Sequence, residues 1–220
     1  VIRYTTGSWI IRIGISMKLY DYMGAPNPRR VKIFAAEKGL ELELVNCDMS
    51  KREHKTPGFL LKNPSGKIPV LELDDGRFIA ESVAICRYLE AIQPEPNLFG
   101  CDAYELGHIE ATNRQLELEL WTQIGTSWRN GPVVAKMHLF KQIPAAKEAS
   151  DVAVHAYYQR LDEQFAADQF AAGDRYTIAD ITLLSAVDFA SRLVRLPPDE
   201  TLLNLKRWHE QVSARPSASA

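Results

Sequence analysis

The residues best suited to chemistry lie between Gly66 and Ser82, "GKIPVLELDDGRFIAES". Pro69 stands at the head of an apolar strand, where it removes a ladder donor. Glu81 and Ser82 close the second strand of the same hairpin just where a helix begins, at "SVAICRYLEAI". A cis bond before Pro69 would turn the preceding backbone outward. The Ile68 N–H and C=O would then be free to pair with an extended peptide as an added strand. At the helix start, the Ser82 hydroxyl and the first N–H groups suit a carboxylate, and Glu81 suits an ammonium. Taken singly, Ser82 is an ordinary N-cap and Glu81 a surface acid. Their combination with Ile68-Pro69 describes a site for a peptide carrying an amino-acid zwitterion.

The elements around this hairpin alternate. "KLYDY" reads as a short first strand, and "NPRRVKIFAAEKGL" as a helix with Val31, Phe34 and Ala35 on one face and a stop at Gly39. "ELELVN" (Glu41–Asn46) alternates at period two and reads as a second strand. "KTPGFLLKNP" is a short, irregular helix or turn, and Asp75-Gly76 is the hairpin turn. The helix from Ser82 to Ile92 carries Val83, Ile85, Cys86 and Leu89 as its apolar stripe. The first β–α–β crossover predicts two parallel neighbouring strands in a small mixed sheet.

After "QPEPNLFG" (Gln93–Gly100) no strand signal follows. Leu106, Ile109, Leu116, Leu120 and Ile124 form one long helical stripe, and Val154, Tyr157, Tyr158, Leu161 and Phe165 a second. Thr177-Ile-Ala-Asp180 is a capping box with Asp in place of Glu, opening "ITLLSAVDFASRLV". "LNLKRWHEQVSARP" is a last helix stopped by Pro216. The expected division is an α/β domain over 17–93 and an all-α domain over 101–220. Residues 1–16, "VIRYTTGSWIIRIGIS", are expected to be an extension outside the fold; their Arg3, Arg12 and Ser/Thr content are also compatible with a mitochondrial presequence.

A formal charge of −2 leaves no basic footprint for nucleic acid. No apolar run reaches the roughly 20 residues that span a bilayer. Cys47, Cys86 and Cys101 form no C-x-x-C, so a reducing, cytoplasmic setting is expected rather than a disulfide framework. His54, His108, His138, His155 and His209 lack metal-ligand spacing, and no metal is expected.

"NPSGKIPVLELDDGRFIAESVAICRYLE" resembles the glutathione-binding segment of the cytosolic glutathione transferases over its whole length, Asn63 to Glu90. "DRYTIADITLL" resembles the capping-box motif of that family's helical domain, and "RWHEQVSARPS" its C-terminal helix. The resemblance implies a thioredoxin-like N-terminal domain of order βαβαββα, an all-helical C-terminal domain and a homodimer. It also implies glutathione as co-substrate. Ile68 and Pro69 would take the cysteinyl backbone, Glu81 and Ser82 the γ-glutamyl end, and His54, Lys55 or Lys67 the glycine carboxylate. Any of those three can equally be a solvated surface charge.

The loop after the first strand departs from the family pattern. Where branches similar to the zeta, theta or delta classes place a serine, this chain has Ala25, and the loop holds no cysteine. That excludes thioredoxin-type dithiol exchange and counts against the omega and beta classes. "APNP" looks most like the "TPN" loop of the nu-class, disulfide-reducing branch, with Asn27 kept. A free thiol has a pKa near ~8.5, and lowering it by ~2 units needs about 2.7 kcal/mol of preferential thiolate stabilisation. Asn27 is the candidate donor to the sulfur, although it also stands where an N-cap belongs, with Pro28 at the first helical position. Tyr22 is the alternative donor, or a packed strand aromatic. Arg114 and Glu117, three apart on a helix, can pair locally or reach a partner. Tyr104, His108, Trp121, Trp128 and Met137 are available to a second-substrate pocket without any being assigned to it.

The expected activity is a glutathione-dependent transfer onto an electrophile, peroxide or disulfide. A glutathione-dependent isomerase would need the serine–cysteine loop that "APNP" lacks. A non-catalytic binding or scaffold protein of the same fold is favoured by the missing serine and opposed by the intact Glu81-Ser82 and Ile68-Pro69 pairs.

Overall fold

A computed structural model describes residues 17–138 and 141–220; the extension expected over 1–16 lies outside the described residues. The N-terminal part runs β1 (Lys18–Asp21), α1 (Pro26–Glu37), β2 (Glu43–Asn46), α2 (Pro57–Leu60), β3 (Val70–Glu72), β4 (Phe78–Ala80) and α3 (Ser82–Ile92). The four strands form one sheet in the order β2-β1-β3-β4. β1 pairs parallel with β2 and antiparallel with β3, as the crossover and the hairpin require. This is a thioredoxin-like domain, followed among the described residues by helices with no further strand. β2 is one of the two edge strands and starts two residues later than the alternation in "ELELVN" suggested, because Glu41 and Leu42 lead in from the turn at Gly39. Its Leu44 stays half exposed.

α1 and α3 pack on one face of the sheet. Val31, Phe34 and Ala35 of α1 and Val83, Ile85, Cys86 and Leu89 of α3 are all buried there. Two cations share that interior. Lys38, just past α1, gives its ammonium to the Pro94 and Pro96 carbonyls at 3.0 and 2.5 Å and pairs with Glu90. This fastens the connection between the two halves of the chain to α1. Arg30 is the second cation.

The helical part continues through α4 (Ala103–Gln115), a π-helical stretch (Leu116–Trp121), α5 (Thr122–Arg129), α6 (Pro132–Ala135), α7 (Pro144–Phe165), α8 (Ile178–Phe189) and α9 (Leu203–Ser213). Ile109, Leu116, Leu120 and Ile124 are buried as expected, whereas Leu106 is 47% exposed. The reason is phase: Leu106 lies on the outer side of the first turns of α4, beside the exposed Tyr104 and Gly107. α8 is buried over nearly its full length and forms the centre of this half. Its capping box is present, with the Asp180 carboxylate accepting the Thr177 N–H at 2.9 Å. The last turns fold back on α1. Arg215 makes a two-pronged ion pair with Glu37 at 2.7 and 2.8 Å, and Ser217 bonds the same carboxylate. Burial pushes the Glu37 carboxyl up, but these bonds outweigh it and hold the group below its ordinary range.

Candidate functional site

One end of the sheet collects the candidate residues. Val70, the first residue of β3, lies opposite Tyr20 of β1 and Ala80 of β4. Ile68 and Pro69 therefore sit abreast of the C-terminal ends of both neighbouring strands, where α1 and α3 begin. The Ile68-Pro69 bond is cis. The Ile68 N–H and C=O take no part in the turn, loop and cap hydrogen bonds of the described residues.

The entry to α3 is formed by Glu81, whose backbone lies at φ 69°, ψ 118°, a region that side chains other than glycine seldom occupy. Such outliers concentrate at binding sites and cost about 1–3 kcal/mol. Glu81 takes the N-cap position and Ser82 the first helical turn, so the alternative that Ser82 is an ordinary cap does not hold. Glu81 is exposed, while Ser82 is buried. The Ser82 hydroxyl accepts a hydrogen bond from Arg30 Nη1 at 2.8 Å, which leaves its own proton free to donate outward. An anion at this helix start would meet that O–H, the unpaired first-turn N–H groups and the field of the buried Arg30.

α1 begins differently from the expectation. Tyr22 to Ala25 form a turn closed by the Ala25 N–H on the Tyr22 carbonyl at 2.9 Å, with Gly24 at φ +84°. Glycine carries that angle without steric penalty. Ala25 is the N-cap, Pro26 the first helical residue, Asn27 the second and Pro28 the third. Pro26 wins the first position because its fixed φ suits helix entry and its missing N–H is one that the helix cannot use. Asn27 therefore does not cap, and no side chain caps α1. Two of the first three residues lack an N–H, so of these three only Asn27 keeps a backbone donor. Arg30, three residues along the same helical face, ties the corner to Ser82. Tyr22 is half-buried, and its backbone N–H goes to Asp21.

The three candidates for a second carboxylate lie on the other flank of the cis-proline. Lys55 gives two N–H groups to the Ser65 and Gly66 carbonyls, at 3.3 and 2.9 Å, and has one left. His54 is half-buried; burial, with the charges of Lys55 and Arg52, lowers its pKa below the ordinary imidazole value. Lys67 is exposed, and its carbonyl accepts from Asn63.

Sequence reasoning missed Arg30. It is 1% exposed and bonds both Ser82 and Glu117, the latter at 2.9 Å, with its guanidinium 4.4 Å from the Trp121 ring centre. Arg114 also pairs with Glu117, so that carboxylate makes its local pair and reaches across to α1 as well. The signal was present: Arg30 stands four residues before Phe34, on the apolar stripe. Of the remaining aromatics, Trp128 packs on Phe189, whereas Tyr104 and His108 stack on each other at the surface. Among the described residues no cluster of His, Cys, Asp and Glu suits a metal, and no helix is long and apolar enough to cross a membrane.

Comparison with known proteins identifies the family. The family described as "Glutathione S-transferase, N-terminal domain" matches residues 15–91, and "Glutathione S-transferase, C-terminal domain" matches 132–216. Glutathione S-transferase 2 of Saccharomyces cerevisiae is 36% identical over 208 residues, covering 91% of this chain and 87% of that protein. The crystal structure of Gtt2 from Saccharomyces cerevisiae superimposes with a TM-score of 0.85 at 33% identity, over 92% of this chain and 98% of that one. A glutathione S-transferase domain-containing protein of Marinobacter aquaeolei gives a TM-score of 0.83 at 35% identity, over 91% and 98% of the two chains. The chain belongs to the glutathione S-transferase family.

Proposed function

We propose that the protein binds glutathione at the end of the sheet between α1 and α3, stabilises its thiolate and directs that thiolate onto an electrophile, peroxide or disulfide. The observation that carries this reading is the 2.8 Å bond from Arg30 to Ser82, which sets the start of α1 against the start of α3. The γ-glutamyl carboxylate goes to Ser82 and the α3 N–H groups, and its ammonium to Glu81. The cysteinyl backbone pairs with Ile68 beside Pro69. The glycine carboxylate goes to the flank of His54, Lys55 and Lys67. In this arrangement the sulfur falls toward the first turn of α1, where Asn27 donates. The division into units over 17–93 and 101–220 belongs to the same reading, with the Lys38-held connection as the boundary.

An amide donor contributes about 0.5–1.5 kcal/mol, less than the two-unit shift of an efficient thiolate needs. Pro26 and Pro28 withhold further help from α1. Slow conjugation of chloronitrobenzene-type electrophiles follows, with better relative activity on disulfides or peroxides. Asn27→Ala raises the thiol pKa of bound glutathione by up to about one unit and leaves affinity nearly intact. Titration of thiolate absorbance in the binary complex checks this. The assignment to Asn27 fails if that titration is unmoved while Tyr22→Phe shifts it.

A homodimer is part of the reading, supported by family membership and by the exposed Leu61, Tyr104 and Leu106 on the surface of α2, α4 and their flanks. Sedimentation at micromolar concentration is expected to give twice the chain mass. A single monomeric species would refute it.

A further inference from the structure

Arg30 is a buried cation whose surroundings do not complete it. Its Nη1 serves both Ser82 and Glu117, while its Nε and Nη2 are buried without a hydrogen-bond partner among the described residues. Glu117, its one acidic contact among the described residues, also pairs with Arg114, which in turn bonds Glu110. A single carboxylate thus stands between two guanidiniums. Burial works against the Arg30 charge and Glu117 supports it. A buried charge with incomplete compensation attracts a second counter-charge. The Ser82 hydroxyl holds the guanidinium on one side and keeps its own proton for an anion on the other.

We infer that Glu117, a carboxylate of the helical half, limits how tightly the α3 N-terminus holds the carboxylate of its ligand, acting through Arg30. This rests on the reading of that terminus as a glutathione site. Arg30 and Glu117 are positioning residues here: neither touches the reacting sulfur. The π-helical stretch is what brings the limiter into place. The Glu117 carbonyl accepts from the Thr122 N–H, five residues on, and from the Thr122 hydroxyl at 3.0 Å. This widened turn presents Glu117 and Trp121 together to Arg30, in keeping with the tendency of such turns to mark functional sites.

The consequence has an unusual sign. In Glu117→Gln the amide oxygen still accepts from Arg30, but the negative charge near the ligand carboxylate is gone. Glutathione then binds about three- to tenfold tighter, because one charge at this range in a partly buried site is worth that order of affinity. The thermal midpoint of the free protein falls, since two guanidiniums lose the negative charge they share. Arg30→Met weakens binding by about tenfold or more, and Arg30→Lys recovers part of the loss. Calorimetry with glutathione on the parent and the three variants tests this. A Glu117 with only a structural role leaves affinity unchanged or lowers it when altered, so unchanged or weaker binding by Glu117→Gln overturns the inference. If Arg30→Met does not fold, the Glu117→Gln and Arg30→Lys affinities decide. A parent that binds no glutathione overturns the underlying site assignment, and the inference with it. A parent that binds while Glu117→Gln fails to tighten removes the inference alone.

Discussion

Asp180→Ala is expected to destabilise the protein by about 3–5 kcal/mol, more than a cap alone contributes. The Asp180 carboxylate is wholly buried and accepts from the Ala171 N–H at 2.8 Å, the Trp208 indole at 2.9 Å and the Thr177 N–H at 2.9 Å. Removing it strands three buried donors, each costing about 1–3 kcal/mol when left unpaired. Trp208, stacked on Phe165, and the largely buried α8 lose their shared anchor together. Denaturant titration reads the loss; a fall below about 1 kcal/mol would mean that water replaces the carboxylate at little cost. The same group shapes the pH dependence. Burial raises Asp180 to about 6, against the pull of its donors. An acid with a folded-state pKa above the unfolded one gives stability that is present at low pH and is lost as pH rises through the folded value. The difference in stability between the parent and Asp180→Asn should therefore shift against the parent between about pH 4 and pH 6, by up to about 3 kcal/mol. A flat difference across that range would show that the donors hold Asp180 ionised throughout.

Glu81→Ala and Ser82→Ala each lower glutathione affinity by about 10- to 100-fold, the loss of one charge-assisted contact. The two variants should differ in stability. Ser82→Ala also takes from Arg30 one of its two hydrogen-bond partners and leaves a buried N–H less well satisfied. Glu81 is exposed and makes no cap bond, so its removal leaves the thermal midpoint close to that of the parent. Calorimetry combined with thermal melts separates the effects. Parental affinity in both variants would place the zwitterion elsewhere.

The parts of this fold governed by local chemistry could be read from sequence. The hairpin turn, the cis-proline position, the capping box and the stripes of α3 and α7 depend on residues close together in the chain. The start of α1 was misplaced because Pro26 and Pro28 both satisfy the rule for a first helical residue, and sequence offers no way to rank them. The spacing of Leu106 from Ile109 fits the stripe; only the docking angle of α4 turns it outward. Arg30 was missed for a different reason. A charge on an apolar face is ordinarily a side chain whose head reaches water. That its head is buried depends on Ser82 and Glu117, 52 and 87 residues away. Lys38 was missed likewise, since its carbonyl partners belong to the connection beyond α3.

The widened turn at Leu116–Trp121 also bears on how such a site can change over time. A helix has about 3.6 residues per turn, so gaining or losing one residue rotates everything beyond it by about 100°. Within a regular helix such an event would scramble the core packing of α5 against α7. Here the extra residue is already accommodated in one turn, leaving Leu116, Leu120 and Ile124 in the core on both sides of it. The two halves of the long helix are thereby decoupled in phase. The face toward α1 can acquire new side chains, and even a change of length, while the buried face keeps its register. A lineage could remodel the chemistry beside Arg30 through this turn and inherit its hydrophobic core unchanged.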